Sequence, residues 1–205
     1  MTKIISITGG SASGKTSIAN KINDFFEHDV SFLSMDFYYK TDLKLTIEER
    51  SKLNYDVPEA FDLNKFYMDV LKLKKNQKIY VNDYDYKNYK SSDHMIEIIP
   101  RKILILEGIF TLYDERIRNL SDAKIFVDTD SDERLARRIL RDTNENGRKT
   151  EDIISHYLTV IKPSYEKYIK PMKKYCDIVI MNGAKNSVAI DILYKYLQKS
   201  LEEPN

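Results

Sequence analysis

The chain has 205 residues, of which 42% are hydrophobic, and its 33 Lys and Arg against 32 Asp and Glu give a formal net charge of +1. This length predicts a single domain, and the near-zero charge argues against a dedicated nucleic-acid binder. The apolar runs fall well short of the ~18 residues that a membrane span needs, and the first residues lack a secretion leader. One cysteine, Cys176, excludes an internal disulfide and an all-cysteine metal site. We therefore expect a globular protein of the cytoplasm.

Short apolar segments alternate with amphipathic ones along the chain, which predicts strands followed by helices. Strands that alternate with helices form right-handed crossovers and a parallel sheet. The predicted strands are Lys3–Thr8, Val30–Met35, Ile103–Leu106, Lys124–Val127 and Ile178–Met181. The predicted helices are Lys15–Glu27, Ile47–Leu53, Leu63–Leu73, Asp132–Arg141, Glu151–Ile161 (ending before Pro163) and Val188–Leu201.

Further segments stand out by composition. Ile79–Ile99 is rich in tyrosine with turn residues at its centre, so it predicts a β-hairpin. Residues 144–149 read NENGRK and predict a polar loop, and residues 202–205 predict a frayed end. Five of the nine arginines fall between Arg134 and Arg148, a concentration that indicates a local requirement.

A glycine-rich motif lies between the first predicted strand and the first predicted helix. Residues 9–16 read GGSASGKT and match the pattern GxxxxGK[ST] in full. Glycines let backbone N–H groups turn toward phosphate oxygens, and the helix N-terminus adds a partial positive charge. Lys15 would reach the β- and γ-phosphates, and the Thr16 hydroxyl would bind Mg²⁺. The sequence thus predicts an ATP site formed by Gly9, Gly10, Ser11, Ala12, Ser13, Gly14, Lys15, Thr16 and Ser17.

Two carboxylates follow apolar strands that should neighbour this loop. Asp36 closes the second predicted strand, SFLSMD, and Glu107 closes the third, ILILEG. Because the carboxyl ends of parallel strands meet at one edge of a sheet, we expect both beside the phosphates. Phosphoryl transfer needs a metal site and a group that takes the proton of the acceptor, and carboxylates suit both roles. The alternative for each is a carboxylate that only hydrates a turn.

Segments beyond the phosphate loop match one family of enzymes. They are LSMD, YDVPEAFD, YDYK, LEGIFTLYDERIR, FVDTDSDERLARRILRD and KKYCDIVI. On these segments the chain resembles the uridine kinases (uridine–cytidine kinases), P-loop nucleoside kinases, nearly end to end. The resemblance implies a doubly wound α/β fold in one domain, residues 1–205. Its parts are a five-stranded parallel sheet with helices on both faces, a substrate-binding hairpin at about residues 77–100 and an arginine-rich lid at about residues 134–160.

The resemblance also implies a reaction. Uridine kinases transfer a phosphoryl group from ATP or GTP, with Mg²⁺, to the 5′-hydroxyl of uridine and cytidine in pyrimidine salvage. The expected partner is therefore a pyrimidine ribonucleoside, with no nucleic acid and no membrane. A homo-oligomer, a tetramer in the family, is expected as well.

Catalytic and metal-binding roles carry over residue by residue from that resemblance. Asp36 is the general base toward the 5′-hydroxyl, and an aspartate near its ordinary pKa of ~3.9 is ionised at neutral pH. Lys15 and Arg141 assist the transfer. Thr16, Asp36 and Glu107 belong to the magnesium site.

Substrate-binding roles carry over in the same way. Asp56 grips the ribose hydroxyls, since a carboxylate can accept two O–H bonds, and this favours ribose over 2′-deoxyribose. Tyr84 contacts the base and Tyr86 takes the stacking position. The other substrate-binding residues are Tyr89, Arg138, Arg141, Arg148 and His156. Guanidinium groups suit bidentate phosphate contacts, and Arg138 and Arg141 share a helical face.

Composition alone supports plainer interpretations of the same residues. Tyr84 and Tyr86 could form the half-buried face of a hairpin in a chain with 15 tyrosines. The arginines could form a solvated helix face paired with acidic neighbours, an interpretation that suits Arg134 and Arg137 best.

The chain departs from the family pattern at four positions that touch the substrate. Val57 and Tyr89 stand where histidine is usual, Asn146 stands where the lid usually has arginine, and His156 aligns with a glutamine. The preference between uridine and cytidine therefore stays open, whereas the transfer chemistry looks intact.

Two other functions stay open. One is a related P-loop kinase for another small alcohol, such as a sugar phosphate or pantothenate, against which Asp56, Tyr84 and Tyr86 argue. The other is a nucleotide-sensing module without transfer activity, against which Asp36 and Glu107 argue.

Overall fold

The computed structural model describes residues 2–202, apart from the side chain of Asn146. Its strands are β1 (Lys3–Gly9), β2 (Val30–Ser34), β3 (Ile79–Asp85), β4 (Lys90–Ile98), β5 (Ile103–Glu107), β6 (Ala123–Asp128) and β7 (Ile178–Met181). Five of them form a parallel sheet in the order β2-β5-β1-β6-β7, and β3 pairs antiparallel with β4 as a separate hairpin. The predicted parallel sheet and the predicted hairpin are thus confirmed.

Eight α-helical segments connect or cover these strands within the described residues. They are α1 (Lys15–Phe26), α2 (Ile47–Ser51), α3 (Leu63–Lys74), α4 (Glu115–Leu120), α5 (Ser131–Asn146), α6 (Thr150–His156), α7 (Lys162–Ser164) and α8 (Ser187–Glu202). In residues 2–202, no helix has both the length and the apolar character that crossing a membrane requires.

The central strands are buried on both faces, which explains their nearly continuous apolar sequences. In β5, Leu104 and Leu106 pack into one apolar cluster, whereas Ile103 and Ile105 pack into the other. Successive side chains of a strand point to opposite faces, so each face needs its own cover. Helices α1 and α8 contribute to the cluster of Ile103, and α3 contributes to that of Leu104. The doubly wound arrangement is therefore confirmed.

The strand register brings the predicted site residues to one edge of the sheet. Glu107, the last residue of β5, lies opposite Ile7 of β1 on one side and Ser34 of β2 on the other. The glycine-rich loop leaves β1 at this edge. Asp36 does not close the strand as predicted, because β2 ends at Ser34 and Asp36 lies in the 3₁₀ turn Met35–Tyr38.

Two predicted boundaries around the arginine-rich region are wrong. The loop predicted at residues 144–149 begins late, since α5 continues to Asn146 and ends where Gly147 takes the left-handed conformation at φ 64°. The helix predicted to stop before Pro163 is followed by further helical turns as far as Tyr175. Wider π turns precede Pro163 and Pro171, and they let the helix continue although each proline lacks the backbone N–H donor of a regular helical hydrogen bond.

Both remaining differences concern short segments. Helix α4 is not predicted from the sequence, because six residues with one buried side chain carry almost no periodic signal. At the carboxyl end, α8 includes Glu202, and the rest of the predicted frayed end, residues 203–205, lies outside the described residues.

Candidate active site

Three residues of the glycine-rich loop, Gly9, Ala12 and Gly14, have positive φ angles, a region that favours glycine. Gly14 caps α1 with φ 96°, in the left-handed region. A Cβ atom on Gly9 would lie 2.4 Å from the carbonyl oxygen of Val127, so β6 packs directly against the loop backbone. The Ser13 N–H donates to the Gly10 carbonyl at 3.1 Å. The loop is thus a tight turn at the N-terminus of α1, the arrangement that binds phosphate.

Lys15, Thr16 and Glu107 meet beside this loop. Lys15 Nζ donates to the Gly10 carbonyl at 3.0 Å and lies 3.9 Å from Glu107 Oε1. Thr16 Oγ1 donates to the same carboxylate oxygen at 3.3 Å. Burial lowers the pKa of Lys15, and burial, reinforced by the Asp36 charge, raises the pKa of Glu107 to about 7.

The oxygens of Thr16 and Glu107 are of the kind that Mg²⁺ prefers. Within the described residues, no group of three or more His, Cys, Asp and Glu side chains could hold a metal ion. Magnesium in kinase sites takes only one or two protein carboxylates, together with substrate phosphates and water. The donor set present here fits that pattern.

Asp36 lies partly exposed in the same cavity, close to Lys15. Tyr86 Oη donates to Asp36 Oδ2 at 2.5 Å. Burial raises the pKa of Asp36, whereas the Tyr86 hydrogen bond and the charges of Lys15 and Arg141 lower it. Burial and the neighbouring carboxylate raise the pKa of Tyr86, so the phenol is the donor in this pair.

Asp56 is buried, with 7% of its surface exposed, and it lines the cavity. Its backbone N–H donates to Asn54 Oδ1 at 2.9 Å, and Asn54 Nδ2 donates to Ser164 Oγ at 3.1 Å, which fixes the turn. In the described part of the chain, the Asp56 carboxylate accepts no hydrogen bond. Burial raises its pKa, and the positive charges of Arg138 and Lys15 lower it.

A cluster of aromatic rings lines the part of the cavity farther from the loop. Tyr39 lies at its centre, with ring centroids 4.1 Å from Phe61, 4.8 Å from Tyr84 and 5.6 Å from Tyr55. Tyr86 packs edge-on against Tyr84 at 5.1 Å. The Tyr84 hydroxyl is buried without a partner of good geometry in residues 2–202, and burial followed by the Tyr55 phenol raises its pKa. Flat rings can pack in such surroundings.

Tyr89 connects the hairpin to the arginine-rich region. It lies in the hairpin turn with φ 51°, and its ring stacks on Tyr55 at 5.7 Å. Arg148 donates a hydrogen bond to the Tyr89 hydroxyl and lies over its ring. The predicted base contact and the predicted phosphate contact are therefore joined to each other.

Three of the predicted arginines converge on one buried carboxylate, Asp142. Its oxygens lie 2.8 Å from Arg141, 3.4 Å from Arg138 and 3.9 Å from Arg148. Arg138 also donates to Ser11 Oγ in the glycine-rich loop at 3.1 Å. Asp142 thus gathers three guanidinium groups, all of which line the cavity.

The interpretation of Arg134 as part of a solvated face is wrong. Arg134 is only 4% exposed, and its guanidinium lies 3.9 Å from the centre of the Tyr165 ring. Arg137 fits the solvated, paired face only in part. It pairs with Glu133 at 2.6 Å, but it also donates to the Ser13 carbonyl of the glycine-rich loop at 3.4 Å.

The family departures fall at different places. His156 lines the cavity, and burial, then the charges of Arg138 and Arg148, lower its pKa. Val57 is not one of the lining residues. The Asn146 side chain lies outside the described part of the chain.

Most of the predicted site residues border one cavity of about 900 Å³, which runs from the glycine-rich loop to the tyrosine cluster, whereas Gly9, Gly10 and Ser13 do not line it. The sequence analysis assigned no role to several residues of this cavity, because the chain brings them together from distant segments. Among the lining residues without a predicted role are Tyr39, Tyr55, Asp142, Asn182, Ala184 and Lys185. The last three follow β7 and lie near the loop: a Cβ on Gly183 would be 2.5 Å from the Ser13 carbonyl. Of these six, two carried a signal: Tyr55 begins the YDVPEAFD segment, and Asp142 is a carboxylate inside the arginine cluster.

Comparison with known proteins agrees with this geometry. Residues 4–189 match the model of the phosphoribulokinase / uridine kinase family. A uridine kinase of Macrococcus caseolyticus is 45% identical over 202 residues and covers 98% of each chain. A uridine kinase of Staphylococcus haemolyticus is 45% identical over 198 residues and covers 96% of each chain.

Solved structures show the same fold at low sequence identity. The phosphoribulokinase from Rhodobacter spheroides superposes with a TM-score of 0.66 at 18% identity, over 88% of this chain and 70% of that one. The match supports the architecture alone. The family model and the two close relatives go further, and together they show that the chain belongs to the phosphoribulokinase / uridine kinase family.

Proposed function

We propose that this chain is a uridine kinase, which transfers the terminal phosphoryl group of ATP to the 5′-hydroxyl of uridine and of cytidine. One observation carries the proposal: a single cavity joins the phosphate loop to the tyrosine cluster, with Asp36 between them. A substrate that fills it needs a hydroxyl at Asp36 and a flat ring among tyrosines. A pyrimidine ribonucleoside has both, and the relatives named uridine kinase support the choice.

In the proposed reaction, the 5′-oxygen bonds to the terminal phosphorus of ATP as the bond to the bridging oxygen breaks. Asp36 accepts the proton of the 5′-hydroxyl, and ADP leaves with the electron pair of the broken bond. Lys15 bears part of the negative charge of the phosphates. Thr16 and Glu107, with Asp36 nearby, would hold Mg²⁺, which neutralises phosphate charge when bound.

The remaining site residues hold and screen the nucleoside. Asp56 accepts hydrogen bonds from the ribose hydroxyls, and Tyr84 and Tyr86 flank the base. Tyr89 and His156 lie where they can contact its polar edge. Asp142 holds three arginines beside the cavity. These arginines, Arg138, Arg141 and Arg148, spread the negative charge that develops on the transferred phosphoryl group.

The test is ADP release with Mg²⁺ and ATP or GTP against a panel of acceptors: uridine, cytidine, adenosine, guanosine, ribulose 5-phosphate and pantothenate. We expect the highest kcat/KM for the two pyrimidine ribonucleosides. Preference for ribulose 5-phosphate or pantothenate would favour the other small-alcohol kinase. Nucleotide binding without transfer to any acceptor would favour the sensing module.

Asp36→Asn provides the mechanistic part of the same test. Loss of a general base is typically worth about 10²–10⁴-fold in kcat, while the affinity for ATP should change little. Asp93→Asn, an exposed aspartate of β4, is the matched control and should keep wild-type kcat. Near wild-type kcat in Asp36→Asn would contradict the role of Asp36.

Assembly and location complete the proposal. A homotetramer in the cytoplasm is what family resemblance implies. Light scattering on the purified protein tests the tetramer, and a mass of one or two chains would contradict it.

A further inference from the structure

A tyrosine of the hairpin turn holds the Asp36 carboxylate. Tyr86 follows β3 and lies 50 residues from Asp36 in sequence, yet its hydroxyl donates to Oδ2 at 2.5 Å. When the acceptor is an ionised carboxylate, an O–H···O⁻ bond of this kind is about twice as strong as a neutral one. In residues 2–202 no other side chain donates to this carboxylate. One oxygen is thus occupied by the protein, and Oδ1 keeps its capacity to accept.

An aspartate needs such a partner if it is to present one oxygen in a fixed direction. The terminal torsion of an aspartate side chain is broad, so the carboxylate turns easily when nothing holds it. The positive charges of Lys15 and Arg141 also favour the ionised form of Asp36, but neither residue donates a hydrogen bond to it within residues 2–202. The Tyr86 hydroxyl is therefore the group that fixes the direction of this carboxylate.

We propose that the Tyr86 hydroxyl is a positioning group for phosphoryl transfer, which orients Asp36 so that Oδ1 accepts the proton of the substrate hydroxyl. The inference rests on the proposed function, because it concerns the general base named there. It is separate from the stacking role of the Tyr86 ring, which needs no hydroxyl.

The test separates the hydroxyl from the ring. Tyr86→Phe keeps the ring and removes the bond to Asp36. We expect kcat for uridine to fall about tenfold, the loss of part of a hydrogen bond to a charged group, with KM for uridine changed less than about twofold. In the Asp36→Asn background, measured by transfer of labelled phosphate, Tyr86→Phe should have no further effect.

Tyr80→Phe is the matched control. Tyr80 also belongs to the hairpin, is 50% exposed against 52% for Tyr86, and donates to a carboxylate, Glu97 Oε1, at 2.7 Å. It does not line the cavity, so its variant should keep wild-type kcat. Thermal unfolding of both variants should match the wild type, because both side chains are half-exposed.

Three results would overturn the inference alone: an unchanged kcat in Tyr86→Phe, a rise in KM without a fall in kcat, or a kcat loss that persists in the Asp36→Asn background. The first means that the bond is irrelevant to transfer. The second means that Tyr86 acts only on the base, and the third that it does not act through Asp36. A wild-type protein that phosphorylates no nucleoside would overturn the proposed function and the inference together.

Discussion

Replacing Asp56 by asparagine should remove most of the discrimination between uridine and 2′-deoxyuridine. The Asp56 side chain is almost completely buried, and its oxygens accept no hydrogen bond within residues 2–202. Each ribose hydroxyl would therefore meet an unoccupied acceptor. Asparagine keeps one oxygen but carries no charge, so the variant should lose at least one hydrogen bond to a charged group. Such a bond is worth about 1.5–3 kcal/mol, or roughly 10–150-fold in kcat/KM for uridine.

The assay is a cycle over two enzymes and two substrates. The wild type should prefer uridine to 2′-deoxyuridine by roughly 10–150-fold, and the ratio should approach one in Asp56→Asn, because the 2′-hydroxyl has lost its partner. KM for ATP should stay constant and serves as the internal control. Equal kcat/KM for both nucleosides in the wild type would refute the reasoning, as would a ratio that survives the substitution.

Unfolding of Asp56→Asn separates loss of function from loss of fold. Burial raises the pKa of Asp56, which means that the folded, ligand-free chain disfavours its ionised form. A neutral asparagine removes that cost, so the variant should unfold at the wild-type Tm or above it. A clearly lower Tm would mean that the carboxylate stabilises the fold. The kinetic loss could then not be assigned to a missing ribose contact.

Two other positions allow equally direct tests. Tyr89→Phe should raise KM for uridine and cytidine a few-fold to about tenfold, since one hydrogen bond is worth about 0.5–1.5 kcal/mol, whereas Tyr89→His should lower KM for uridine or leave it unchanged. An unchanged KM in Tyr89→Phe would exclude a base contact. The lowered pKa of His156 makes its contribution to stability complete above pH 6.5, its ordinary pKa, and lost as the pH falls through the folded value. His156→Gln should therefore flatten the fall of Tm between pH 7 and 5, unlike the exposed control His28→Gln, and equal pH profiles for both would contradict this.

Local patterns explain why much of the fold could be predicted. The strands that cross the core are short apolar runs, and the glycine-rich loop matches a phosphate-binding motif in full. Glu107 could be placed because the carboxyl ends of parallel strands meet at one edge. For the same reason, Asp36 lies at the predicted edge of the sheet, even though it belongs to the turn after β2.

Long-range contacts explain why the rest could not be predicted. The convergence of three arginines on Asp142 depends on how α5 packs beside the loop, and the sequence of α5 equally suits a solvated helix face. The hydrogen bond from Tyr86 to Asp36 joins segments that share no motif. The helical turns around Pro163 run against local preference, and wider π turns make them possible.

The cavity combines groups that the folded chain alone does not favour. Burial raises the pKa of Asp36, Asp56 and Glu107, so the fold disfavours three carboxylates that the proposed chemistry needs ionised. Lys15 shows the opposite effect for the same reason, since burial disfavours its charged form. In the proposed reaction each of these groups meets a compensating partner: hydroxyl donors at Asp36 and Asp56, a cation at Glu107 and phosphate at Lys15. Binding of substrate and metal should therefore offset part of the cost of burying these charges, as expected of a site that serves function rather than folding.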